Sequence, residues 1–496
     1  MDQQRPFSSL LHNWISLAGI PLALFGFVVG LTLILIDLNT PFASPYLGIF
    51  TYMVVPVILV AGLCLTLVGV LRERRRRRTG RASRPGLPII DLNNRRQFGA
   101  FIAVVVISLL FLALSAVGAY RAYHFTESVT FCGLTCHEVM EPEHTAYRDS
   151  PHASVLCAAC HIGSGADWFV KSKLSGVRQV FATLANSYHR PIDTPLANLR
   201  PAEETCHTCH WPEKFFGAVG RSWTYYKSDD ANSPWTIRML IKVGGGDPRH
   251  GPVQGIHWHM NIANKVEYIA ADGDRQVIPW VRVTDAAGKV TIYQTQEEQQ
   301  RLGAEAVAAA QVRRMDCMDC HNRPSHQYAA PSRALDLQLA LGNIDPALPA
   351  IKRNAAELLV GQYATRDDAL ASIRQGLLEA YPEGGDAVER SVAEVQRIYA
   401  RSLFPRMKVD WRVYPDHIGH MITPGCFRCH DGQHVSEDGQ PVTRECDACH
   451  TILAQGPGSE TGDMSARGLS FQHPDEDVGD AWQEMRCDEC HTGAPY

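Results

Sequence analysis

Two cysteines followed at once by a histidine occur seven times in this chain, and no other feature limits its fold as strongly. Six copies have the spacing CxxCH: Cys157–Cys160–His161, Cys206–Cys209–His210, Cys317–Cys320–His321, Cys426–Cys429–His430, Cys446–Cys449–His450 and Cys487–Cys490–His491. The first, Cys132–Cys136–His137 in FCGLTCHEVM, has one residue more between its cysteines. CxxCH is the attachment signature of c-type haem: the thiols form thioethers, and the adjacent histidine reaches the iron as proximal ligand. Zinc ribbons and disulfides also use paired cysteines, but neither requires a histidine directly after the second one. The pairs use fourteen of the fifteen cysteines. Cys64 lies in an apolar run and reads as a buried membrane thiol. The expected cofactor is seven covalently bound haem c.

Three apolar runs precede the motifs, at about 14–36, 50–71 and 98–119. Each holds about 20 residues with almost no charge, enough to cross a hydrocarbon core of ~30 Å. Each is apolar all round, unlike the helix of a soluble protein surface. The first is too long for a signal peptide, and no A-x-A site follows it. RERRRRRTGRASRPG lies between the second and third runs. Beside a span, so basic a segment marks a cytoplasmic loop, here 72–97. The N-terminus is then cytoplasmic, and everything after Tyr120 lies outside, where haem is attached to such motifs. The expected location is a bacterial inner membrane with a periplasmic haem domain. A net charge of −5 speaks against a nucleic-acid partner.

Beyond the anchor, 1–119, four pieces are distinguishable. Residues 120–210 carry three motifs. Residues 211–316 carry none and alternate polar with apolar residues, with turn signals at Asp272–Gly273 and Ala287–Gly288. Residues 317–405 carry the fourth motif and a segment, AAELLVGQYATRDDALASIRQGLLEAY, with apolar residues at helical spacing. Residues 406–496 carry the last three motifs. The expected fold is a membrane-anchored multihaem c-type cytochrome: three transmembrane helices plus a mainly α, haem-packed periplasmic domain with a small β-rich insert. Porphyrins supply apolar bulk, so little conventional core is expected around the motifs.

A carrier haem takes a second strong axial ligand, usually His or Met. Seven of the 21 histidines are proximal, which leaves fourteen. The best placed are His152 and His326, His420 and His434 on either side of the fifth motif, and His473 before the last. His257 and His259 in GIHWHMN would share one face of a strand, so one of them is expected at an iron. His189 is a further option, with His207 and His417 weaker ones. These supply six haems and leave the first one short.

A membrane span, a haem motif, SxH, two more motifs and then CxDCHxxxxH resembles the NapC/NirT family of membrane-anchored quinol dehydrogenases. The likeness covers about 98–210 and 315–330, and rests on Ser150–His152, the second motif, VKSK with Pro191–Asp193, and CMDCHNRPSH. It implies that His326 ligates the second haem and His152 the third. It also implies a first haem at the membrane face, with weak or unusual axial ligation, that takes electrons from quinol. A lysine after the second motif lies by the quinol in that family; Lys171 or Lys173 is the match. Two departures stand out. The family has Met two residues after the first motif's histidine, whereas Met140 is three after, so His137 and Met140 both stay open as iron ligands. No Asp or Glu occurs between Asp167 and Asp193, and Gln179 stands near the place of the family's carboxylate. Over its full length the chain looks like the larger seven-haem, three-span inner-membrane cytochromes of metal-respiring bacteria.

The expected function is oxidation of menaquinol, with electrons passed to periplasmic cytochromes and on toward extracellular acceptors. Thirteen residues separate Ala119 from Cys132. They span at most ~45 Å extended or ~20 Å as helix, so the first haem is leashed near the bilayer. Acidic Asp447, Asp488 and Glu489 near the last motifs offer charge for docking a basic cytochrome. Competing readings are an electron-wire subunit of a larger membrane complex, reverse quinone reduction, and a nitrite-type terminal reductase. The lysine-ligated CxxCK motif of pentahaem nitrite reductases is absent.

Overall fold

The first two apolar runs each form one helix, Trp14–Asn39 and Val55–Arg78. The computed structural model describes residues 8–11, 13–39, 54–78, 92–135, 137–163, 166–194, 200–245, 255–260, 264–458 and 464–494. Among them, two helices are long and apolar enough to cross a membrane, over Trp14–Ile34 and Val55–Arg76. The third expected span is helical within Arg95–Thr126 but is not one of those two. Its side chains at 104, 105, 108, 109 and 112 lie outside the described residues. Contact clustering gives two compact units, Met1–His137 and Glu138–Tyr496.

In the first unit, small residues set how the first two helices meet. A Cβ on Gly19 would lie 2.5 Å from Thr66 Oγ1, and one on Gly62 would lie 2.3 Å from the Ala23 backbone nitrogen. Such close approach of backbones is how apolar helices gain contact in lipid, where no hydrophobic force drives them together. Fully buried Ser16 adds a hydrogen bond to the Thr66 carbonyl at 3.2 Å. The helix Arg95–Thr126 starts where the Asn94 side chain accepts from the Arg96 N–H at 3.1 Å. It runs past the expected end of the span, so the leash to the first motif is helical. Ser128 then carries the turn onward: its carbonyl accepts from the Cys132 N–H at 3.1 Å.

In the second unit, the alternating segment forms strands β1 (Ala218–Tyr226), β2 (Pro234–Lys242), β3 (Lys265–Ile269), β4 (Trp280–Thr284), β5 (Val290–Thr295) and β6 (Arg313–Arg314). The insert does not close on itself. Two strands from the C-terminal region, β7 (His434–Ser436) and β8 (His450–Pro457), complete its antiparallel sheets. The orders are β1-β2-β8 and β6-β3-β4-β5-β7. The β4–β5 hairpin turns at Gly288, whose φ of +80° favours a residue without a Cβ.

Helices Pro331–Ala340, Ile351–Leu359, Arg366–Ala380 and Asp386–Ser402 form a bundle that buries Leu335, Ile351, Leu359, Ile373, Leu377, Val392 and Val395. The helical-looking run breaks before Thr365, whose hydroxyl caps the next helix by accepting from the Asp368 N–H at 3.2 Å. The insert is keyed into this bundle. Buried Asn232 donates to the Pro346 and Leu348 carbonyls at 3.0 and 2.8 Å, and accepts from the Lys352 N–H at 3.0 Å. Asp336 pairs with Lys352 at 2.7 Å and accepts from the Tyr226 N–H at 2.9 Å.

Around the motifs the chain's own core is thin. Among the described residues, 149–217 bury one hydrophobic side chain, Ala202, and 415–494 bury two, Ile452 and Ala454. Leu156, Trp211, Phe216, Ile418 and Met421 are exposed in the same segments.

Candidate haem and quinol sites

Each of the last six motif histidines faces one other histidine, and no histidine is used twice. Ring centroids are 6.2 Å apart for His161 and His326, 6.1 Å for His210 and His152, and 6.3 Å for His321 and His257. They are 5.8 Å apart for His430 and His259, 6.2 Å for His450 and His420, and 6.0 Å for His491 and His473. A metal–imidazole nitrogen bond is about 2 Å long and the ring centroid lies about 1 Å behind that nitrogen, so two rings on opposite sides of one metal have centroids roughly 6 Å apart. The six spacings fit an iron between each pair. Among the described residues no group of three or more His, Cys, Asp or Glu gathers as a tetrahedral metal site requires.

Four of the six partner rings are also held in the right sense. The Nδ1–H of His257 donates to the Val243 carbonyl at 2.7 Å, that of His259 to Ile256 at 2.9 Å, and that of His326 to Glu143 at 3.0 Å. His152 reaches the Pro324 carbonyl at 3.2 Å. Such bonds fix the tautomer and leave Nε2 for a metal. Burial holds His257 below the ordinary histidine range and pushes His259 and His326 down to about 4. Burial shifts His161, His321, His420, His430, His450 and His491 in the same direction. A ligand ring must be neutral, so this environment favours the binding form.

Other expected candidates sit elsewhere. His434 is buried, with Nδ1 on the Asp431 carboxylate at 2.9 Å and Nε2 on the Ile278 carbonyl at 2.6 Å. Burial lowers its pKa, but the bond and charge from Asp431 outweigh that and raise it. Both nitrogens are therefore committed as donors, and His434 is a tie between strands rather than a free ligand. His189 is exposed and pairs with Asp193 at 2.7 Å. His417 donates from Nδ1 to the Asp319 carbonyl at 2.9 Å and has Gln276 on Nε2 at 2.8 Å. His207 Nε2 lies 3.8 Å from Cys317 Sγ. GIHWHMN is not a strand: Ile256–Met260 is a 3-10 turn. A Cβ on Gly245 would lie 2.2 Å from the His257 backbone, so close packing onto β2's exit bends the chain there. Both of its histidines face motif histidines, where one was expected.

The first motif is organised differently. Thr130–Thr135, which contains Cys132, is a π-helical turn. An extra residue within a helix is what such a turn absorbs, and these turns concentrate at functional sites. Cys136 and the His137 side chain lie outside the described residues, and Met140 sits in the helix His137–Arg148.

Neighbouring motifs touch in chain order. Cys160 lies within electrostatic range of Cys209, and Cys206 of Cys317. Arg428, inside the fifth motif, donates to the carbonyl of Asp319, inside the fourth, at 2.8 Å. Phe427 stacks on His420 with centroids 4.4 Å apart, which joins the fifth motif to the sixth pair. Arg444, just before the sixth motif, donates to the Met485 carbonyl before the seventh at 2.9 Å.

Asp319 is the hub of the fourth motif. Its Oδ1 accepts from Tyr268 Oη at 2.6 Å and from Arg275 and Arg313, each at 2.8 Å. Its Oδ2 accepts from the Asp316 N–H at 2.7 Å. Asp319→Ala strands two arginines and a buried phenol, and is expected to cost about 3 kcal/mol. Denaturant unfolding of the holoprotein, followed by tryptophan fluorescence, checks this; an unchanged midpoint contradicts it.

The helix Ala166–Leu184 carries the two lysines and an unusual face. Leu174, Val177, Phe181 and Leu184 recur at helical spacing and are all exposed. Lys171 and Lys173 flank that stripe on opposite sides, the first exposed and the second half-buried. Near the last motif the expected docking charge is partly used internally: Asp488 pairs with Arg486 at 3.2 Å, and Glu489 with the same arginine at 3.5 Å.

Residues 94–210 match the NapC/NirT cytochrome c family, N-terminal region. Cytochrome c-type protein ImcH of Geobacter sulfurreducens is 43% identical over 500 residues, which is 99% of this chain and 97% of that protein. No solved structure matches the chain significantly.

Proposed function

Because this chain belongs to the ImcH-type membrane cytochromes c, with a NapC/NirT domain in its first half, we propose that it oxidises menaquinol and delivers the electrons to periplasmic cytochromes, toward acceptors outside the cell. Three spans anchor it in the inner membrane, with the N-terminus and the arginine-rich loop cytoplasmic and the motifs periplasmic. The observation that carries the reading is the row of six histidine pairs at iron-bridging distance. Two strong ligands on each of the six paired sites suit transfer there, not substrate binding. This speaks against a terminal reductase, which needs an open coordination position.

The motif cysteines hold the seven haems as thioethers, and the motif histidines are the proximal ligands. His326, His152, His257, His259, His420 and His473 are the distal ligands of the second to seventh sites in that order. His137 or Met140 would serve the first. Bound haem supplies one-electron redox chemistry at each site. Quinol releases two electrons and two protons, so its own site needs a proton-handling group beside the first acceptor. Lys171 and Lys173 are the quinol-orienting residues. The apolar stripe between them lies in the membrane interface, as amphipathic helices with basic flanks do, and brings both ammonium groups to the depth of a quinol head.

Rapid mixing of the oxidised protein with a reduced menaquinone analogue tests this, with the haem α-band as signal. Fast reduction blocked by a quinol-site inhibitor is expected. Reduction by dithionite but not by quinol would mean that electrons enter from a partner subunit or flow the other way.

A further inference from the structure

We infer that the turn Ile256–Met260 is a two-iron clamp: it supplies the distal ligands of both the fourth and the fifth haem, and so splices the N-terminal haem set to the C-terminal one. The inference rests on the axial pairing proposed above and goes beyond it, because it fixes which two sites share a scaffold. His257 and His259 are two residues apart on one short turn, yet their rings face histidines of different motifs, His321 at 6.3 Å and His430 at 5.8 Å. In a helix with three residues per turn, side chains two apart point in different directions, so one turn can address two irons. Two residues span at most about 7 Å of chain, which holds the two irons close together. Within the pairs the rings are inclined by 12° for His257–His321 and by 86° for His259–His430.

The opposite faces of the two sites are tied as well. Arg428 of the fifth motif donates to the Asp319 carbonyl of the fourth and to the Arg275 carbonyl of the insert, both at 2.8 Å. Cys320 and Cys429 lie within electrostatic range of each other. The clamp itself is anchored to β2's exit through the His257 N–H and Nδ1–H, which donate to the carbonyls of Gly244 at 3.1 Å and Val243 at 2.7 Å. The β-rich insert carries no haem motif of its own. Its role on this reading is to hold the fourth and fifth sites at fixed separation. Haem bound at the two sites would supply one-electron transfer between them, with no proton moved and no bond broken.

The test uses the full-length holoprotein with His257→Ala, His259→Ala and the double change. Electron paramagnetic resonance of the oxidised protein counts high-spin haems. Each single variant is expected to turn one low-spin haem high-spin, and the double variant two. His257→Met and His259→Met keep a sixth ligand; each should stay low-spin and shift the midpoint potential of a different haem, which decides the matter if the alanine variants do not fold. After quinol mixing, the last three haems of the double variant should reduce at least tenfold more slowly than the first three. If both single variants perturb the same haem, or neither changes the count, the clamp is wrong. If wild-type protein is not reduced by quinol at all, the quinol reading fails, while the spin count still decides the clamp.

Discussion

Made without covalent haem, the chain beyond the anchor is expected to keep its helical bundle folded and to lose order around the motifs. Ordering a residue costs about 1–2 kcal/mol of backbone entropy, and burial returns about 25 cal/mol per Å² of apolar surface. Ala202 cannot offset that cost over 149–217, nor can Ile452 and Ala454 over 415–494. Hydrogen bonds such as Arg428 to Asp319 add little net stability unless burial has already excluded water. The bundle stands apart, since Leu335, Ile351, Leu359, Ile373 and Val395 form a protein-only core. Hydrogen–deuterium exchange on protein from cells lacking haem-attachment machinery would show protection kept over 331–402 and lost around the motifs. Persistent protection at 426–457 would mean that β7 and β8 fold onto the insert unaided, and that porphyrin is not the missing core.

What could be read in the chain beforehand divides by range. The motifs are local, so the seven cysteine-pair-plus-histidine repeats and the apolar anchor are plain from adjacent residues. The bundle is legible too, because its apolar spacing is periodic over many residues. Pairing of rings is another matter. His326 meets His161 across 165 residues, and nothing near either one shows it. The SxH and CxDCHxxxxH patterns stood in for that distance in two cases. His257 and His259 had no such help: two histidines separated by one residue look the same on a strand as on a tight turn. The close approach of Gly245 decides between them, and it is a tertiary contact. His434 was as well placed as His420 beside the fifth motif. It differs only in having Asp431 three residues before it and the Ile278 carbonyl within reach, which turn it into a donor at both ends. The closing strands of the insert, β7 and β8, were hidden because they lie within the haem-rich C-terminal region and not in the alternating segment itself.

Replacing Lys173 by glutamine is expected to slow quinol-driven haem reduction by about 10²-fold, the lower range for loss of a positioned proton-handling group. Reduction by dithionite should be unchanged, because none of the six histidine pairs involves this helix. Lys171→Gln should have the smaller effect. Both lysines border the stripe Leu174, Val177, Phe181 and Leu184, but Lys173 is half-buried and Lys171 exposed. Packing around a half-buried side chain limits its directions more than the surroundings of an exposed one, and orientation is what brings a donor to bear on a quinol oxygen. No carboxylate follows the lysines before Asp193, so on the proposed quinol reading the pair would carry more of the proton handling than in the four-haem family. If the lysines act in turn on the two quinol oxygens, the slower of the two steps sets the rate, and the double variant should lose less than the product of the single effects. Measuring the four rates in nanodiscs at several quinol concentrations separates the cases. A changed rate at saturation marks a role in the reaction, and a change only in half-saturation marks a role in binding. Equal rates for all four proteins would remove both lysines from the quinol site and return attention to the irregular first motif, Cys132 to His137.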